Sequence, residues 1–274
     1  MLQQRQGRIR PETAPAADLR FRSTPMYRKT LIIRTCAIGD FVLNLPALAA
    51  LQKIDPDARL TLVGNAAALE LARKFVAVDA IYSIEQPPWS RLFYEPIPDL
   101  AFDEAVVWMK DPIVADNLRL SGVPNVIRRD PFPAFGHASD HLLRALNLSR
   151  PDLPDLWNAA TTGIVIHEGS GSRKKNWPYY SELMRRVDQA EAMPQDLPLL
   201  ELARYLCGCR TFVGNDSGIT HLAAYLGCPT IALFGPTDPR VWGPIGRRSH
   251  IIWKTKLEDI SVDEVVLAIQ AKQQ

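Results

Sequence analysis

From Thr30 onward the chain repeats one local pattern: a short run of aliphatic and β-branched residues, a turn, then apolar positions at helical spacing. Residues 31–33 read as a strand and 41–53 as a helix, because the apolar period changes between them. The cycle continues with a strand at 60–63, a helix at 66–75, and strands at 80–84, 104–108 and, shorter, 125–127. Residues 86–98, rich in proline and aromatic side chains, read as a loop. Strands separated by helices build a parallel sheet, since a crossover must carry the chain back to the edge from which it started.

A second array begins after Pro151, Asp152, Leu153 and Pro154, a segment of linker composition. Strands are expected at 163–167, 211–213 and 230–234, and helices at 179–187, 199–207, 219–226 and 262–271. The chain therefore divides into a leader, 1–29, an N-terminal Rossmann-like unit, 30–150, and a C-terminal Rossmann-like unit, 151–274. Its length suffices for two small cores. Ligands of such sheets bind at the carboxyl ends of the strands, so the expected site is a cleft between the two units.

Bulk properties exclude several alternatives. Apolar residues at 47% and charged residues at 23% are those of a globular protein, and a net charge of +2 does not argue for nucleic acid. Cys36, Cys207, Cys209 and Cys228 form no paired CxxC units and read as reduced thiols, Cys207 and Cys209 as helix-end packing residues. No apolar run approaches the roughly 20 residues that span a bilayer, and the N-terminus lacks the apolar core of a secretory signal, so the expected location is the cytoplasm. The Arg-, Gln- and Pro-rich leader reads as a solvated arm.

Four short motifs fall at strand ends. Ile38-Gly39-Asp40 follows the first strand, where Asp40 is either a helix N-cap or a carboxylate facing the cleft. Residues 168–178 combine Gly169, Ser170, Gly171 and Ser172 with Lys174 and Lys175; open amides, hydroxyls and lysines suit a diphosphate, although a flexible basic loop has the same composition. Asn215, Asp216, Ser217 and Gly218 precede a helix that carries His221 in its first turn, and Phe234-Gly235-Pro236-Thr237-Asp238-Pro239 forms a rigid loop after the next strand. Each motif alone is compatible with a cap or a turn. Their common position at the carboxyl ends favours a nucleotide or nucleotide-sugar site.

In this order the motifs resemble the landmarks of glycosyltransferase family 9. The likeness rests on Ala37 to Asp40 with Leu45-Pro46-Ala47-Leu48, on Gly169 to Ser172 with Lys175-Asn176-Trp177-Pro178, on Asn215 to Gly218 with His221-Leu222-Ala223-Ala224, and on Phe234 to Pro239. It spans the chain from Lys29 to Trp242. The resemblance implies an α/β GT-B fold, two Rossmann-like domains facing a cleft, and inverting transfer of heptose from ADP-heptose to the lipopolysaccharide inner core. It places the catalytic carboxylate on Asp40, phosphate contacts on Ser170, Gly171, Ser172 and Lys175, and nucleotide-sugar contacts on Asp216, Ser217, Gly218 and His221. It implies no cofactor beyond the donor substrate, no metal and no nucleic acid, and it implies a glycan acceptor with transient contact at the cytoplasmic face of the inner membrane.

The chain departs from the family pattern in one place. Between the helices expected at 179–187 and 199–207, relatives carry a further strand, a turn with a ribose-binding glutamate and a helix; residues 188–198 are too few for these, so the C-terminal unit is expected to be shortened. Glu191 is not assigned the ribose role. Arg91, Lys110, Arg128 and Arg129 are candidate contacts for an anionic acceptor. Two alternatives stand beside heptosyl transfer: transfer of another nucleotide-activated sugar, and a degenerate member that binds a nucleotide or glycan without catalysis.

Overall fold

The computed structural model describes residues 27–158 and 162–272, so the leader reading, apart from its last three residues, lies outside the described residues. The N-terminal half runs β1 (Lys29–Arg34), α1 (Ile38–Ile54), β2 (Arg59–Gly64), α2 (Ala66–Leu69), β3 (Val78–Ser83), β4 (Glu104–Trp108), α3 (Ile113–Leu120), β5 (Asn125–Arg129) and α4 (Ala138–Arg144). The C-terminal half runs β6 (Thr162–His167), α5 (Tyr180–Arg186), β7 (Ala190–Ala192), α6 (Leu199–Gly208), β8 (Cys209–Asn215), α7 (Gly218–Tyr225), β9 (Thr230–Phe234), α8 (Pro239–Trp242), β10 (Ser249–Trp253) and α9 (Val262–Lys272).

Each half forms a five-stranded parallel sheet, in the order β3-β2-β1-β4-β5 and β10-β9-β8-β6-β7. Strand order reverses between β1 and β4 in the first sheet and between β6 and β8 in the second. At such a reversal the flanking crossovers leave in opposite directions and open a crevice at the carboxyl edge. Both halves therefore present a crevice, and the motifs after β1, β6 and β8 sit on its rims.

Several local expectations change. The first helix begins at Ile38, with Ala37 as its N-cap, so Gly39 and Asp40 lie inside its first turn and Asp40 is not the cap. The helix expected at 66–75 breaks after Leu69 into a tighter turn, Glu70–Lys74, closed by Phe75 N–H donating to Ala72 O three residues back. Residues 188–198 do hold a strand: β7 pairs with β6 over Ile164–Ala190 to Ile166–Ala192. From β7 the chain enters α6 with no helix between them. Strand β10 and helices α3, α4 and α8 were not legible in the local pattern.

A single apolar core runs through both halves. Phe41, Leu45 and Leu48 of α1 pack in the same cluster as Leu202 and Leu206 of α6 and Leu222 of α7. At this seam the Phe75 and Tyr225 rings meet edge to face, with centroids 5.0 Å apart. Separate clusters cover the outer faces, one beneath α3 and one beneath α5 and α9. Each fully buried Leu or Phe stabilises the fold by about 1.5–3 kcal/mol, so a seam built from such residues favours one fixed arrangement of the halves. All four cysteines are free, and the Cys209 and Cys228 thiols touch in this core. Among the described residues no helix is long and apolar enough to cross a membrane.

Candidate active site

Two helix N-termini meet where the carboxyl edges of the sheets converge. Helix α1 has no side-chain cap, and α7 is capped by the Ser217 hydroxyl, which accepts the Thr220 N–H at 3.3 Å. The first amides of both helices thus include donors without intrahelical partners, and both positive dipole ends point to the same place. Thr220 reinforces the turn by donating its own hydroxyl to Asn215 O at 2.5 Å.

The loop after β6 is held against β8 by one side chain. Asn215, fully buried, accepts the Trp177 N–H at 2.9 Å and donates to Glu168 O at 2.8 Å. It thereby clamps both ends of the glycine- and serine-rich loop. Trp177 anchors the far end, since its indole N–H donates to Ile260 O at 2.9 Å. Within the loop, the Ser170 Oγ lies 2.7 Å from Ser172 O and 2.5 Å from Asn176 Oδ1, which turns it inward.

A cavity of about 360 Å³ lies between the halves. Ala37, Gly39, Asp40, Leu43 and Phe132 line it from the N-terminal half; Gly171, Lys175, Asp216, Ser217, Gly218, His221, Thr237 and Trp242 line it from the C-terminal half. The Asp40 carboxylate makes no hydrogen bond or ion pair with any described residue. A wider hollow of about 690 Å³, bounded by Tyr27, Lys29, Asp103 and Glu104, lies at the amino ends of β1 and β4, the edge that parallel sheets do not use for ligands.

Charge in the cavity is concentrated on Asp216. Its carboxylate is 8% exposed; Oδ2 lies 2.6 Å from Lys175 Nζ and Oδ1 lies 3.9 Å from His221 Nε2. Burial opposes ionisation, but the contacts of His221, Lys175 and Thr237 outweigh it and hold the carboxyl at about 2. At 3.9 Å the imidazole is beyond hydrogen-bond reach, so we assign most of this effect to Lys175, whose Nζ lies 2.6 Å away. The Lys175 contact is a close approach of opposite charges rather than an aligned hydrogen bond, because Oδ2 has no hydrogen-bond partner among the described residues. His221 Nδ1 is likewise buried and without such a partner.

Of the residues singled out from sequence, Asp40, Gly171, Lys175, Asp216, Ser217, Gly218 and His221 come together here. Ser170 and Ser172 stand outside the cavity lining, the first engaged in holding the loop. Glu191 lies away from it and accepts the Tyr205 hydroxyl at 2.7 Å. Arg91 pairs with Glu95, while Arg128 and Arg129 donate to backbone carbonyls; none of these lines the cavity. Thr237, Trp242 and Phe132 were missed. The rigid loop of Phe234 to Pro239, with Trp242-Gly243-Pro244 after it, was a usable signal for Thr237 and Trp242, but nothing local marked Phe132.

The chain is similar to known heptosyltransferases. The family model described as "Glycosyltransferase family 9 (heptosyltransferase)" matches residues 195–266. Lipopolysaccharide heptosyltransferase 1 of Pseudomonas aeruginosa is 24% identical over 292 aligned positions, covering 80% of this chain and 82% of that protein. Among solved structures, E. coli heptosyltransferase WaaC with ADP superposes with a TM-score of 0.69 at 20% identity, covering 89% of this chain and 99% of that one. E. coli ADP-heptose lps heptosyltransferase II gives a TM-score of 0.73 at 18% identity, covering 89% and 98%.

Proposed function

Taking as premise that the chain is a heptosyltransferase-like glycosyltransferase of the family 9 type, we propose that it moves heptose from ADP-heptose to an acceptor of the lipopolysaccharide inner core. The observation that carries this reading is one shared cavity in which Asp40 of the first half stands opposite Lys175, Asp216 and His221 of the second. In the proposed reaction Asp40 takes the proton of an acceptor hydroxyl as that oxygen bonds to the anomeric carbon from the face opposite the leaving group. The bond from that carbon to the diphosphate oxygen breaks, and ADP departs with the electron pair. Lys175 and the amides at the starts of α1 and α7 stabilise the charge that develops on the diphosphate.

Asp216, held ionised by its partners, suits a different part of the donor. An anionic carboxylate repels phosphate and accepts hydrogen bonds, so it is assigned to sugar hydroxyls. The acceptor's place implies work at the cytoplasmic face of the inner membrane.

Isothermal titration with ADP and ADP-heptose, followed by mass-detected transfer to inner-core acceptor, tests the proposal. Binding of both nucleotides with transfer supports it. Turnover only with another nucleotide-sugar replaces the donor. The direct passage from β7 into α6 is the specific observation favouring a non-catalytic binder, and nucleotide binding without transfer from any donor would establish that reading instead.

A further inference from the structure

The loop from β5 to α4 ends at His137, whose ring bonds to both halves of the molecule. Nδ1 accepts the Ser139 N–H at 3.2 Å, capping α4, and Nε2 lies 3.0 Å from Gly243 O, 106 residues away. A ring nitrogen that faces an N–H must present its lone pair, and one that faces a carbonyl must carry the proton. The two partners therefore select the neutral Nε2–H form.

Position gives this bond a consequence. Gly243 directly follows Trp242, and His137 closes the loop that carries Phe132; these aromatics line the cavity from opposite halves. Phe132 is 59% exposed and has little packing of its own to hold it. Gly243 is fixed from behind, because its N–H donates to Pro239 O at 2.8 Å. The His137 bond thus joins an exposed aromatic wall to an anchored one.

We propose that His137 is a positioning residue, an interdomain clasp that sets the separation of the Phe132 and Trp242 walls. Its effect on catalysis rests on the transferase reading; the clasp itself does not. Protonation would place an Nδ1–H against the Ser139 N–H, donor against donor, and break the cap. Burial is the largest influence on the ring and lowers its pKa. The Gly243 carbonyl and Asp140 raise it, and Arg150 and His221 lower it further; Arg150 and Asp140 are themselves paired at 2.5 Å. With the folded value lowered, the cap's stabilisation is complete above the ordinary imidazole value of 6.5 and is lost as pH falls through the lowered one, while the Nε2–H keeps its bond to the Gly243 carbonyl in either protonation state.

Two substitutions separate the functions of the ring. His137→Asn keeps an acceptor at the δ position for the cap and reaches no further; His137→Gln carries an N–H donor at the ε position and does not titrate. Hydrogen-exchange protection of residues 130–137 and 239–246, and of the Ser139 amide, is read in the full chain from pH 8 down to the acid limit of the fold. In the native protein the Ser139 amide should lose protection once acid protonates the imidazole, while both segments keep theirs. His137→Asn should show about five- to tenfold less protection of both segments at every pH, as expected for loss of one net hydrogen bond, and His137→Gln should retain it. Equal protection in His137→Asn and the native protein overturns the clasp. Where transfer is measurable, the Asn variant should raise KM more than it lowers kcat; the predicted exchange pattern with no transfer from any donor would count against the transferase reading while upholding the clasp.

Discussion

Gly39 and Gly218 meet backbone to backbone at the base of the cavity: a Cβ added to Gly218 would stand 2.9 Å from Gly39 N, and one added to Gly39 would stand 3.2 Å from Gly218 Cα. Neither neighbour is a flexible side-chain tip that can swing aside. The two helix starts, one from each half, can approach only because both residues lack a side chain.

Gly218→Ala should therefore push α1 and α7 apart, costing about 1–3 kcal/mol of stability, as overpacking does elsewhere. Thermal unfolding with and without ADP measures it. Gly171→Ala is the control, since an added Cβ there meets nothing within 4 Å. Equal Tm values for the two variants would show that the helix starts are not in rigid contact.

Asn215→Leu removes both clamps on the loop after β6 and leaves the Trp177 N–H buried without its partner. A buried amide left unpaired costs about 1–3 kcal/mol. Beyond the lower Tm, hydrogen exchange across residues 168–178 should accelerate while exchange in β1 stays unchanged. Unaltered exchange in the loop would assign its order to something other than Asn215.

Lys175→Met tests the charge balance of the cavity. The folded Asp216 carboxyl is held at about 2, below its ordinary 3.8, so its contribution is present above the ordinary value and is lost as pH falls through about 2. Without the lysine the folded value rises. The variant should be less stable than the native protein at neutral pH, and the two Tm curves should converge in strong acid. A constant gap between the curves at every pH would show that Lys175 stabilises the fold by packing rather than through Asp216.

Asp40→Asn should separate stability from activity. With no hydrogen bond or ion pair to any described residue, the carboxylate is dispensable to the fold, and Tm should stay within the roughly 0.5 kcal/mol typical of such positions. Transfer should fall about 10²–10⁴-fold, the usual contribution of a general base. A variant with native turnover would remove Asp40 from the proposed mechanism.

The sequence by itself determined the strands whose apolar runs are continuous, β1, β4 and β9, and the motifs at their carboxyl ends, because burial on both faces of a parallel sheet demands such runs locally. It did not reveal β7, since Ala190, Glu191 and Ala192 have no β-branched or aromatic member and form a strand only by pairing with β6. Asp40 was ambiguous between cap and cleft; the helix start at Ile38 resolved it, and that start depends on how α1 packs. Tertiary structure alone decided the Gly39 and Gly218 contact, the aromatic walls at Phe132 and Trp242, and the bond from His137 to Gly243. These pair residues far apart in the chain, and no period within either segment encodes which partner the docking of two cores will bring alongside.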